Sequence, residues 1–322
     1  MDVLNPDPEA MAKAEVFAGG GEMGAAMRAH DWSSSPLGTA EKWPQSLRTS
    51  VSTCLNSRFA IVIWWGPEMV TLYNDAFTPI LGNAHPTALG CPARQVWPEI
   101  WDIVGPMLHG VLNRGEATFG DDLLLLLHRN SYQEECYFTF SYSPIRDEGG
   151  GVGGIFTPVF ETTGRVIGER RLRTSRDLAD ARTASSFSSG CSSVPEACQT
   201  AIRILAQNSQ DFPFAAIYLF DKSEDSATLV ASTGAQPGGT LLPHRLSQSK
   251  SDASWIPLAS LARGETCDIG LQSPDLDGLP TAPWGIPPVE AIAVPMLQKG
   301  KDFPTGFLLT GVNARAGVED SR

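Results

Sequence analysis

Hydrophobic and polar positions alternate most cleanly over residues 61–77, IVIWWGPEMVTLYNDAF. Ile61, Ile63 and Trp65 fall on one face of an extended chain and Val62 and Trp64 on the other, the period-two signature of a strand. Gly66-Pro67-Glu68 reads as a turn, because Pro presets φ and Gly tolerates the reversal. Val70, Leu72 and Tyr73 resume an extended run, and Asn74 is placed to cap a helix starting at Asp75.

The flanks extend this pattern into a domain. Leu47, Val51 and Leu55 form an i, i+4 stripe behind Pro44, which predicts a helix. Residues 92–101 predict a short helical piece carrying Trp97 and Trp101 on one face, and residues 104–112 another helix, with Gly115 past its end. Three strands come next. The first covers residues 123–127, the second 134–145, the third 152–160, with a reversal at 147–151. In the middle strand Cys136, Phe138, Phe140 and Tyr142 share a face, and Tyr137, Thr139 and Ser141 share the other. Two strands, short helices and three strands predict one antiparallel sheet with flanking helices, an α+β domain over residues 59–165. A loose N-terminus (1–16) and a helical lead-in (17–58) precede it.

Residues 166–190 change character. They are highly charged, with Val166/Ile167, Leu172 and Leu178/Ala179 six or seven apart. That spacing fits a connecting helix, either paired with a second copy or solvated alone. It ends in a Ser-rich linker, TASSFSSGCSS. A second α+β unit follows over residues 191–313: a helix at 194–208, strands at 214–220 and 228–232 around a turn at 221–225, and strands at 290–297 and 305–312 around Lys299-Gly300-Lys301. Between the strand pairs, residues 233–285 read as irregular, with one helix candidate at 257–263 and an apolar segment at 267–271. Residues 314–322 form a polar tail.

Composition narrows the function classes. The chain has 322 residues, enough for two cores, and a formal net charge of −12, which argues against nucleic acid or an anionic membrane as partner. Its apolar runs are too short for a membrane helix and its first residues carry no secretory signal, so a cytoplasmic protein is expected. The six Cys include no C-x-x-C pair, and no metal site is expected. Gly19-x-Gly21-x-x-Gly24 matches a dinucleotide fingerprint in form only, since no βαβ unit surrounds it. Cys91 lacks the setting of a flavin-adduct cysteine. His85 and His109 read as structural or surface residues rather than haem ligands. Asp121-Asp122 and Glu134-Glu135 read as strand-edge charges rather than a catalytic pair. The aromatic set Trp65, Phe77, Trp97, Trp101, Phe138 and Phe140, with Asn74 as a polar member, is the candidate pocket lining. It competes with a plain hydrophobic core. No catalytic residue and no cofactor is expected, and an unidentified small-molecule ligand is left open.

The stretches HDWSSSPLG, EKWPQSLR, NSRFAIVIWWGPE, LYNDAF, ILGNAHPTALG, ARQVWPEIWDIVGPM, DDLLLL, YFTFSYSPIRDE and GERRLRT resemble the N-terminal PAS–GAF sensory region of sensor histidine kinases, clearly over about residues 17–180 and more generically over 190–313. The resemblance implies a signal-input module of two-component or phosphorelay signalling. It implies a homodimer formed through the linker helix, passing a conformational signal to a histidine-kinase output. The alternative is the N-terminal fragment of a complete kinase whose ATP-dependent autophosphorylating half is absent here. No phospho-accepting His box is present: His244 is followed by Arg245 where an acidic residue is expected. The family's GAF domain also ends in a closing helix that this sequence lacks, so the chain reads as truncated, with apolar side chains of the second sheet expected to lie bare on one face.

Overall fold

A computed structural model describes residues 15–130, 132–187, 193–221, 225–247, 255–272, 276, 278–298, 300 and 303–315. The expected loose N-terminus up to residue 14, residues 188–192 of the Ser-rich linker, the tail from residue 316, and parts of the 221–225 and 299–301 turns lie outside the described residues. The chain divides into two compact units, residues 1–166 and 167–322. Each is α+β, an antiparallel sheet with flanking helices.

Unit 1 holds β1 (Ala60–Trp65), β2 (Val70–Tyr73), β3 (Thr118–Leu127), β4 (Glu134–Arg146) and β5 (Val152–Glu161), in the spatial order β2-β1-β5-β4-β3. The β1–β2 reversal needs left-handed backbone at Gly66 (φ 73) and even at Met69 (φ 54). β3 reaches β4 through a bulge between Gly120 and Leu123, with Asp122 at φ 46. The helix Gln45–Leu55 packs on this sheet, burying Leu47, Val51 and Leu55 as its stripe predicts. The predicted 104–112 helix starts earlier, as Trp101–Arg114, and ends on Gly115 in the left-handed conformation.

In unit 2 the strands are β6 (Ala215–Phe220), β7 (Ser226–Thr233), β8 (Arg245–Ser247), β9 (Cys267–Gly270), β10 (Glu290–Met296) and β11 (Gly306–Gly311), ordered β8-β7-β6-β11-β10-β9. The stretch expected to be irregular supplies both edge strands. One is three residues long and the other is only half-buried, so neither carries a strong alternation signal. One face packs Phe214, Ala216, Tyr218, Ala293 and Phe307, with Tyr218 stacked on Phe307 at 5.1 Å. The other face, expected bare, is covered over Ala215 and Ile217 by Cys198, Ile202 and Leu205 of the helix Val194–Ala206. That helix begins with a capping box between Ser193 and Glu196, which satisfies its first free N–H groups. Cover gives out toward the sheet margin, where Val294 and Leu297 are exposed.

The connecting helix is Thr163–Phe187, and the boundary between the units falls within its first turn. Its buried Ile167 and Thr174 and half-buried Leu178 recur on one side, and Leu172 points away from them, exposed.

Candidate functional site

Strand alternation in unit 1 gathers one set of side chains around a cavity of about 50 Å³. β1 supplies Val62 and Trp64, β3 Leu125 and Leu127, β4 Phe138, Phe140 and Tyr142, and β5 Val159. The opposite wall comes from Phe77, Ile80, Trp97, Ile100 and the helix Trp101–Arg114 through Trp101, Val104 and Leu108. No charged side chain lines it. The rings meet edge to face: Trp64–Trp97 at 5.8 Å, Trp64–Tyr142 at 5.4 Å and Phe77–Trp97 at 6.0 Å between centroids, the arrangement their quadrupoles favour. Burial pushes the Tyr142 phenol well above its ordinary range, so it stays neutral and able to donate.

Of the candidate lining residues, Phe77, Trp97, Trp101, Phe138 and Phe140 come together here, and Trp65 and Asn74 do not. Trp65 is on the other phase of β1. Its indole lies over Gly153 and Gly154 of β5, where a Cβ on Gly154 would sit 2.5 Å from the ring. The residue that faces the cavity is its neighbour Trp64. Val62 and Trp64 share a phase of β1, and strand pairing turns that phase toward Phe138, Phe140 and Tyr142. Asn74 is neither lining nor a side-chain cap. Its Oδ1 accepts from the Ile61 N–H (3.1 Å), and its Nδ2 donates to the carbonyls of Phe59 (2.7 Å), Cys54 (3.0 Å) and Ser57 (3.2 Å). It is a knot tying the end of the Gln45–Leu55 helix to β1.

Three buried polar atoms on the sheet near the cavity have no hydrogen-bond partner among the described residues: Trp64 Nε1, Thr71 Oγ1 and Thr157 Oγ1. An orphaned buried group costs about 1–3 kcal/mol.

Other chemistry suggested by sequence resolves into structure. The glycine-rich stretch opens the helix Gly21–Ala29, whose N-terminus is already occupied by a carboxylate. Asp75 accepts from the Met23 N–H (2.6 Å) and the Glu22 N–H (3.2 Å), leaving no place for a phosphate. Glycine is needed at position 21 because a Cβ there would meet Asp75 Oδ2 at 1.9 Å. Cys91 donates to the Thr87 carbonyl (3.1 Å) and does not line the cavity. The buried Cys136 thiol is pushed up to about 12, mainly by desolvation. His85 Nδ1 meets the Tyr73 hydroxyl at 3.0 Å, His109 lies beside Trp101 on the surface, and neither lines the cavity. An open concavity of about 780 Å³ beside Trp65 has a committed rim: Asp147 accepts from the Gly149 and Gly151 N–H groups, and Glu148 accepts from Ser46 at the start of the Gln45–Leu55 helix. That bond to the Ser46 N–H holds the Glu148 carboxyl below its usual range. Among the described residues no His/Cys/Asp/Glu group is arranged to hold a metal, and no helix is long and apolar enough to cross a membrane.

Glu134 and Glu135 are not strand-edge charges but buried members of a network. Arg129 donates through Nε to Glu134 (2.8 Å) and through both terminal nitrogens to Glu161 (2.7 Å each). Glu161 also accepts from Thr163 Oγ1 (2.9 Å), whose oxygen accepts from the Tyr137 N–H (2.9 Å). Glu135 accepts from the Tyr137 hydroxyl (2.9 Å). The bonds to Glu161 hold the Arg129 guanidinium charged, against the opposing effect of burial. Asp122 pairs with Arg165 at 2.5 Å, which holds its carboxyl below the ordinary range.

No protein-family model and no curated protein matches the chain. Solved structures similar to it include a sensory box sensor histidine kinase from Vibrio cholerae (18% identity, TM-score 0.25, covering 36% of this chain and 88% of that one). They also include the GAF domain of an Acinetobacter phosphoenolpyruvate-protein phosphotransferase (16%, TM-score 0.29, 44% and 77%). A third is the chromophore-binding domain of Stigmatella aurantiaca bacteriophytochrome (14%, TM-score 0.30, 80% and 86%).

Proposed function

We propose that the chain is a signal-input module in which the state of the unit 1 cavity sets the conformation at the root of the helix Thr163–Phe187. One observation carries this reading: the cavity wall and the helix root are built on the same strands. Val159 lines the cavity two residues before Glu161, and Leu127 lines it two residues before Arg129. Arg129 and Glu161 grip each other, and Glu161 holds Thr163, the first residue of the helix. A shift of either wall strand moves one partner of a bidentate pair, which tolerates little displacement.

In this reading the helix delivers the change to a histidine-kinase output, the partner that the PAS–GAF resemblance implies, and two copies pair along it. Leu172 and Ala179, seven residues apart and both exposed, are the outward positions available for that pairing.

Hydrogen exchange tests the coupling. Val104→Phe fills the cavity from the helix side. It should change amide protection over residues 163–170 by at least about threefold, and Arg129→Gln should abolish that response. An unchanged exchange pattern at 163–170 in the filled variant, with the fold intact by circular dichroism, rejects the coupling.

A further inference from the structure

Three of the four orphaned polar side chains of unit 1 sit on β1 and the two strands that flank it. Trp64 pairs across β1–β2 with Thr71, and Val62, two residues before Trp64, pairs across β1–β5 with Thr157. Residues opposite each other on antiparallel strands point to the same face with Cβ atoms about 4.5–5.5 Å apart, and diagonal neighbours are about 7–8 Å apart. Trp64 is therefore opposite Thr71 and diagonal to Thr157 on the sheet face that carries the cavity-lining Val62. The two threonines lie on opposite sides of β1, and of the three only Trp64 itself lines the cavity. Trp64 is 5% exposed and both threonines are fully buried, and among the described residues the indole N–H and both hydroxyls lack a partner. Elsewhere in the unit Thr162 Oγ1 is a fourth such atom, and other buried polar side chains are bonded. Asn74 uses both ends of its amide, Glu134 and Glu135 are bonded, and Tyr73 meets His85. Unpaired interior groups are rare, and a diagonal pair at a cavity, Trp64 on its lining and Thr157 opposite the lining Val62 and in phase with the lining Val159, points to an occupant that brings its own hydrogen-bonding atom.

Building on the reading of this cavity as the input site, the geometry points to its ligand class: an uncharged oxygenated molecule of about two to four heavy atoms, a short-chain ketone, aldehyde or alcohol. Its oxygen accepts from Trp64 Nε1 and engages the Thr157 hydroxyl, while its carbon body rests against Phe77, Trp97 and Phe138. Size follows from the volume. About 50 Å³ is a third of the roughly 150 Å³ apolar cavity that accepts benzene, so a flavin or porphyrin ring does not fit. Neutrality follows from the lining, which offers no counter-charge for a buried ion. The oxygen follows from this pair, because a hydrocarbon leaves both the Trp64 indole N–H and the Thr157 hydroxyl unpaired.

The test uses the full chain with ¹⁵N-labelled tryptophan, which gives one indole N–H resonance for each of its eight tryptophans, that of Trp64 assigned with Trp64→Phe. Three probes of matched size are titrated: acetone, isobutene (the same shape without oxygen) and acetate (the same heavy-atom count with a charge). Acetone should shift the Trp64 indole resonance saturably, isobutene should bind at least about tenfold more weakly, and acetate should leave it unmoved. Thr157→Val, which removes the hydroxyl at nearly constant volume, should weaken acetone at least about fivefold while leaving isobutene unchanged. That retained isobutene binding shows that the cavity is still formed. Isobutene binding as tightly as acetone, acetate shifting the same resonance, unchanged acetone affinity in Thr157→Val, or no saturable shift with any probe overturns the ligand class. The coupling experiment with Val104→Phe uses no ligand, so an intact exchange response at residues 163–170 alongside a failed titration removes this inference alone.

Discussion

Two arginine–carboxylate grips act on the helix Thr163–Phe187, one in each unit, and they differ in depth. In unit 1 Arg129 holds Glu161, just ahead of the helix, with two bonds of 2.7 Å; the Glu161 side chain keeps 29% of its surface in water. In unit 2 the grip comes from the helix itself. Arg170 donates to Asp211 at 3.0 and 2.7 Å, Asn208 adds a bond of 2.9 Å, and Arg171 stands at 3.9 Å. Only 6% of the Asp211 side chain is exposed. Water can replace the partner of a half-open carboxylate when the pair separates, but not that of a buried one. The unit 2 grip therefore suits permanent attachment of the helix, and the unit 1 grip suits a contact that opens and closes.

The largest expected effect is on the buried side. Asp211→Ala removes the Asp211 counter-charge from the mostly buried Arg170, which keeps a neutral acceptor in Gln210, and leaves the Asn208 amide without one acceptor. It should cost about 3–5 kcal/mol, read from urea unfolding with an unchanged slope. Glu161→Ala should cost less, about 1–3 kcal/mol, because Arg129 keeps Glu134 and gains water. Its larger consequence should be loss of exchange protection at residues 163–166. Equal destabilisation by the two substitutions would erase the distinction between anchor and switch.

How much of this was legible from sequence varies by element. The β1–β2 hairpin, the Gln45–Leu55 helix and the alternation of β4 were all readable, because each buries a regular stripe of side chains. The phase of β1 relative to the cavity was not. Trp64 and Trp65 are adjacent and chemically equal, and only the β1–β5 pairing, which places Gly154 under Trp65, tells them apart. Asn74 looked like a cap because Asn commonly is one. Its four partners include carbonyls near the end of a helix some twenty residues upstream, a tertiary fact with no local signature. Glu134 and Glu135 looked like surface charges for the same reason. Tyr137 meets Glu135 from two residues along the same strand, but Arg129 meets Glu134 only where the chain turns from β3 into β4. β8 gives no sequence signal and β9 only a short apolar segment, because short edge strands need little hydrophobicity.

The smallest effect probes the same helix root from its exposed side. Arg165, in the first turn, donates to Asp122 on the β3 bulge. The bond from Arg165, and then the Thr162 hydroxyl, depress the Asp122 carboxyl. A depressed carboxyl contributes stability that is fully present above its unfolded value, about 3.9, and is lost as pH falls through its lower folded value. The urea midpoint of the wild type should therefore exceed that of Asp122→Asn at pH 6, and the gap should narrow below about pH 4 and close under stronger acid. Asn suits the comparison because it tolerates the left-handed backbone at this position, φ 46, about as well as Asp, so the bulge survives the change. A gap that persists in strong acid would assign the contribution to the bulge geometry. Asp122 would then be scaffold, leaving Arg129 and Glu161 as the only charge contact argued to move with the cavity.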